Sequence, residues 1–189
     1  MNSKRSLSRW SQVAKRLMSY EYYTHLFDLP RTPTPQTWLI GGRIRHYKAM
    51  NFISYKVGAL NRWPDNELAC YLAGRLAWDA SQDDRALIEE FFRLYFQEAG
   101  NPMRAYYRQL NLVGRQTDSH GMFVAHADWT PQVLAELQAA IEVAQASAQQ
   151  PLIKRRVRRE ADALRALTLV CRALAARRAW KEESTPQNR

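Results

Sequence analysis

With 189 residues and 46% apolar side chains, the chain can bury a core of its own, which excludes disorder over most of its length. Seven glycines and eight prolines are too few for a many-stranded sandwich or barrel, which needs a turn signal about every 8–12 residues. The net charge of +10 is unevenly spread: residues 1–60 hold ten Lys/Arg and two acids, residues 61–150 seven and twelve, residues 151–189 eleven and four. Either the basic ends fold back on the acidic middle, or they face an anionic partner.

From Ser6, the residues Leu7, Trp10, Val13, Ala14, Leu17 and Met18 recur at helical spacing between Lys4, Arg5, Arg9, Lys15 and Arg16, which predicts an amphipathic helix. Tyr20 to Tyr23 is short and aromatic and predicts a strand. Pro30, Pro33 and Pro35 then forbid both helix interior and sheet ladder. A second helix is expected over Thr37 to Met50, with Trp38, Ile40, Ile44 and Tyr47 on its apolar side and Gly41-Gly42 weakening it. Asn51 to Val57 predicts a second strand, closed by Gly58 and the loop through Trp63 and Pro64. Helix, strand, helix, strand is the grammar of a parallel α/β unit.

After Pro64 the pattern is helical throughout. One helix is expected from Asp65 through Leu68, Tyr71, Leu72, Leu76 and Trp78, and a second through Leu87, Ile88, Phe91, Phe92, Tyr95 and Phe96 to Gly100. Asn101-Pro102 reads as a cap with proline at the first helical position, opening a third helix. Gln116 to Asp128 reads as a loop, and Thr130-Pro131 repeats the cap-and-proline device for a helix to about Gln149. Pro151 breaks the pattern, the last helix runs from Ile153 to about Trp180, and the polar tail frays. Trp78, Phe91 and Tyr95 are expected in the core. Cys70 and Cys171 sit in apolar helical patterns and read as small buried hydrophobes, not a disulfide.

The fold class that follows is mainly α: two short parallel strands of an incomplete β/α barrel, then an antiparallel helical bundle. The boundaries fall at residues 1–60 for the barrel remnant, 61–180 for the bundle and 181–189 for a disordered tail. Two parallel strands cannot make a sheet buried on both faces, so these strands lack neighbours. In β/α barrels the working residues sit just past the strand ends. Here that position gives the substrate-binding candidates Glu21, Tyr22, Tyr23 and His25 after the first strand, and Asn61 and Trp63 after the second. Tyr22, Tyr23 and Trp63 offer an apolar body with a polar tip, which suits a sugar face.

Glycosidic hydrolysis normally uses two carboxyl groups about 5–9.5 Å apart. Glu21 is the only acid in the first strand, Asp28 lies in a loop, and Asp83-Asp84 and Glu89-Glu90 point apart on helices, so no catalytic pair is expected. His120 and His126 have no Cys partners nearby, so no metal site is expected, and no glycine loop suggests a cofactor. Lys154-Arg155-Arg156-Val157-Arg158-Arg159 argues for a nucleic-acid partner, but the same arginines fit the solvated or salt-bridged faces of a helix whose apolar stripe is Ile153, Val157, Leu164, Leu167 and Cys171. No run of about 18 uncharged apolar residues occurs and no signal-peptide core is present, so the expectation is a cytoplasmic chain without a membrane.

The run from Asn66 to Asp79, then Ile88-Glu89-Glu90-Phe91 to Tyr95-Phe96, then Ala99-Gly100-Asn101-Pro102-Met103-Arg104-Ala105-Tyr106-Tyr107, resembles a bacterial family, the domain of unknown function 4838. Its members show Leu-x-x-Tyr-x-x-x-(Arg/Lys)-Leu-x-Trp-Asp, a helix ending in Tyr-Tyr-Gly-x-Ala, and Pro-Met-x-x-Tyr-Tyr. Trp10, Ala14-Lys15 and Tyr20-Glu21-Tyr22 before the prolines are similar to the family's late barrel segment, and the likeness extends to about Arg172. It departs where Ser54 to Gly58 carries no acid, and where Phe96-Gln97-Glu98 stands for Tyr-Gly. The resemblance implies the C-terminal segment of a glycoside-hydrolase-like protein, related in architecture to α-glucuronidases and non-catalytic by itself. The implied partner is an oligosaccharide or polysaccharide, and unpaired strands imply self-association. The alternative is a basic helical module that binds nucleic acid or another protein.

Overall fold

The computed structural model describes residues 3–22, 37–58, 66–116 and 129–184. These are mainly helical, with one two-stranded parallel sheet. The elements run α1 (Ser3–Val13), β1 (Leu17–Tyr22), α2 (Thr37–Ala49), β2 (Phe52–Gly58), α3 (Asn66–Trp78), α4 (Asp84–Phe91), α5 (Gly100–Gln116), α6 (Pro131–Ser147) and α7 (Pro151–Ser184). A π turn at Phe92–Phe96 and a 3-10 turn at Gln97–Ala99 join α4 to α5. Leu17 and Met18, expected in the first helix, belong instead to β1. α1 stops at Val13, and Leu17 pairs with Phe52 of β2. Proline 151 opens α7, a place where its missing N–H costs nothing.

β1 and β2 pair in parallel from Leu17↔Phe52 to Tyr22↔Gly58, with an irregularity between Leu17 and Met18. Because side chains alternate along a strand, Ser19, Tyr55 and Val57 turn inward: Ser19 is buried, and Tyr55 and Val57 pack against the core. The opposite face is bare, with Met18 60% and Tyr20 47% exposed and the Lys56 ammonium 5.0 Å from the Tyr20 ring centre.

α2 joins the sheet to the bundle. Ile40 and Ile44 are buried in the same core as Leu68, Leu72 and Leu76 of α3. Arg45 fixes this join by donating to the carbonyls of Ala80 (3.0 Å) and Gln82 (2.8 Å) and pairing with Asp84. Gly41 is required here, since a Cβ would meet the Asp84 carboxylate, whereas Gly42 faces open space. Asp83 caps α4 by accepting from the Arg85 backbone N–H, and Thr130 caps α6 from Val133, ahead of Pro131.

The bundle's centre is aromatic. Phe91 stacks on Tyr95, and Phe92 meets Tyr107 edge-on at 5.3 Å. Phe96, Met103, Tyr106 and Leu110 are fully buried around them. Tyr107 donates to the buried Glu160 carboxylate of α7 (2.6 Å). Phe91 lies in the core as expected and Tyr95 is half-buried, but Trp78 is 92% exposed. The reason is angular: Leu68, Leu72 and Leu76 form the inward stripe of α3, and a residue two places past Leu76 points to the opposite side. Cys70 and Cys171 are free thiols, half-buried rather than fully so, and burial pushes both pKa values up.

Candidate functional site at the strand ends

In a parallel pair both strands run the same way, so the chain leaves β1 and β2 at the same end of the sheet, marked by the partners Tyr22 and Gly58. The segments holding the other candidates therefore start side by side. Tyr23, His25, Asn61 and Trp63 themselves lie outside the described residues, as do His120, His126 and the tail beyond Ser184, and Tyr22 is described only in its backbone.

Glu21 is the candidate whose surroundings are defined. Its side chain is 14% exposed, and its carboxylate accepts from Arg43 at 2.9 Å, from Ser19 Oγ at 3.2 Å and from the Tyr47 hydroxyl. Arg43 and Tyr47 sit four apart on α2, hence on one helix face, and that face lies over the inward side of β1. Tyr55 of β2 completes the group. Its hydroxyl is buried without a hydrogen-bond partner, and burial together with the charge of Glu21 pushes its pKa up. Burial and donation to Glu21 raise Tyr47 in the same direction. The arrangement is a carboxylate held by three donors beside a neutral phenol, and its chemistry is hydrogen bonding and charge fixation rather than proton transfer by a free acid.

Sequence reasoning singled out Glu21 but not its partners. Tyr47 and Tyr55 look like plain apolar positions in their elements. The usable signal was the pair Arg43 and Tyr47 at helical spacing opposite a lone strand acid. Among the described residues no group of three or more His, Cys, Asp or Glu is placed to hold a metal ion, and no helix is long and apolar enough to cross a membrane.

The arginine cluster of α7 divides. Arg156 donates to the Tyr95 carbonyl (2.6 Å) with its guanidinium 3.9 Å from that ring's centre, Arg159 pairs with Glu67 at 2.7 Å, and Arg158 reaches Asp162 at 3.8 Å. With Arg45 on Asp84, these contacts join basic ends to the acidic middle, one of the two readings that the charge layout left open.

The family model described as Domain of unknown function (DUF4838) matches residues 1–108. The matched range covers α1 through the first half of α5, and α6 and α7 lie beyond it. No curated protein and no solved structure matches the chain.

Proposed function

Starting from the premise that the chain belongs to the DUF4838 family, we propose that it is the C-terminal segment of a glycoside-hydrolase-like carbohydrate-processing protein and does not hydrolyse glycosides by itself. The observation that carries this reading is the two-stranded parallel sheet covered on one face only, with Met18 and Tyr20 bare on the other. Parallel sheets are ordinarily covered on both faces and built from more strands, so this pair fits an edge of a larger β/α array. In such an array ligands sit past the strand ends, where Tyr22, Tyr23, His25, Asn61 and Trp63 cluster in sequence.

The non-catalytic part rests on Glu21. Hydrolysis calls for one carboxyl group that can give up a proton and a second that attacks or activates water. Glu21 is the one acid in either strand, and its oxygens are engaged by Arg43, Tyr47 and Ser19. A nucleic-acid role is weaker because Arg156 and Arg159, half of the arginines in the basic run, are committed to Tyr95 and Glu67.

The test is made on the purified chain. No turnover of aryl glycosides is expected, together with saturable binding of oligosaccharides that contain uronic acids, weakened by Tyr23→Ala and Trp63→Ala. Turnover that Glu21→Gln abolishes would overturn the non-catalytic reading. Tight duplex binding that falls steeply with salt and disappears when Arg155 and Arg158 are neutralised would replace the carbohydrate reading altogether.

A further inference from the structure

α7 outruns the core that supports it. Its last buried residue is Leu167, and beyond that point Leu169 and Trp180 are exposed. Between this distal stretch and the beginning of α6 lies a cleft of about 610 Å³, a size typical of sites for small organic ligands. Its walls are apolar, formed by Pro131 and Leu134 from α6 and by Leu174 and Ala175 from α7.

Three features give the cleft a sign. Arg172 and Arg178, one and a half turns apart on α7, both line it, and neither has an ion-pair partner among the described residues. The start of α6, the positive end of a 17-residue helix, also opens onto it through Thr130 and Pro131. Trp129 lines the same space at 3% exposure, and its Nε1 donor is buried without an acceptor. A buried indole N–H normally has a partner, so an unpaired one beside a cavity marks a place for an acceptor atom. No acid lines the cleft.

We propose that this cleft binds a small organic anion with an apolar body and a single carboxylate or sulfonate head. The body lies between Leu134 and Leu174, and the head is held by Arg172 and Arg178 with Trp129 Nε1 as a further donor. Charge-assisted hydrogen bonds from guanidinium groups are the strong ones, and an apolar wall on either side lowers the local dielectric and strengthens them further. The site is separate from the strand ends and independent of the carbohydrate reading.

The probe is 1-anilinonaphthalene-8-sulfonate, titrated into the full chain while the indole N–H resonance of Trp129 is followed by nitrogen-15 NMR. One saturable binding event that shifts this resonance is expected, weakened about tenfold or more in Arg172→Ala/Arg178→Ala, whose thermal midpoint stays unchanged. Trp129→Phe, which keeps the ring face and removes the donor, should weaken binding less. A Trp129 resonance that does not move, equal affinity in the double arginine variant, or equally tight binding of the uncharged N-phenylnaphthylamine would each overturn the proposal. So would a Leu134→Gln variant that converts a dimer to a monomer and leaves probe binding intact, since the cleft would then belong to a second copy.

Discussion

In the bundle, Phe92, Phe96, Met103, Tyr106 and Leu110 lose all but a trace of their surface, while in the sheet only one face is covered and Met18 and Tyr20 keep about half of theirs. The two regions share one core through Ile40 and Ile44 of α2, so the contrast is not between a folded part and an unfolded one. It separates an element that closes on itself from one whose hydrogen-bonding edges remain available to further strands. Helices satisfy their backbone internally, so a bundle can finish its surface with side chains alone. A parallel strand pair leaves N–H and C=O groups along both outer edges.

The contrast predicts association first. The isolated chain should run above monomer mass in sedimentation at micromolar concentration, and Met18→Glu should return it to a monomer, because it charges the bare face without touching the core. A compact monomer of the unmodified chain would show that the bare face needs no cover.

Packing gives the next effect. Phe96→Ala should cost about 3–5 kcal/mol in denaturant unfolding, since the side chain is fully buried among Phe91, Phe92, Tyr95 and Tyr107. Trp78→Ala should cost within about 0.5 kcal/mol despite the larger residue, as befits an exposed position. Similar losses in both would mean that α3 is turned differently.

A smaller gain is expected at the junction of α4 and α5. Gln97 has φ of 47° and ψ of −115°, a conformation that favours glycine. It occupies the place where the Tyr-Tyr-Gly-x-Ala pattern carries Gly. Gln97→Gly should raise stability by about 1 kcal/mol, less what is lost with the 2.7 Å contact between its Oε1 and Gln150.

The smallest effect is a pH dependence. Glu98 accepts from the backbone N–H groups of Gln150 (3.0 Å) and Gln149 (2.8 Å) just before α7, and these bonds hold its pKa below the usual carboxylate range. A depressed folded-state pKa contributes stability that is present above the unfolded value, about 4.3, and is lost as pH falls through the folded one. The stability gap between the natural chain and Glu98→Gln, measured by thermal unfolding, should therefore be widest near neutrality and close below about pH 4.

Most elements were legible because their signals are local. Thr130-Pro131 marks the start of α6, and Leu68, Leu72 and Leu76 mark the inward face of α3. What failed was local evidence of the wrong kind. Trp78 was expected inside for its size, although its angle from Leu76 already pointed outward. Leu17 and Met18 continue the spacing of α1 without a breaker, and only pairing with β2 draws them into a strand. The Glu21 cluster was half legible: the acid stood out, but its partners come from α2 and β2, and no pattern within one element announces such a meeting.

The π turn at Phe92–Phe96 holds one backbone residue more than a regular helical turn would need there. Deleting one residue in that stretch would let α4 run on as an ordinary helix, yet would rotate everything after it by about 100°. Phe96 would then swing off the aromatic centre and Glu98 away from the start of α7. Chain length across residues 92–96 is thus a counted quantity: substitutions there can be absorbed one at a time, whereas a single-residue insertion or deletion would require the packing of α5 and α7 to be rewritten together.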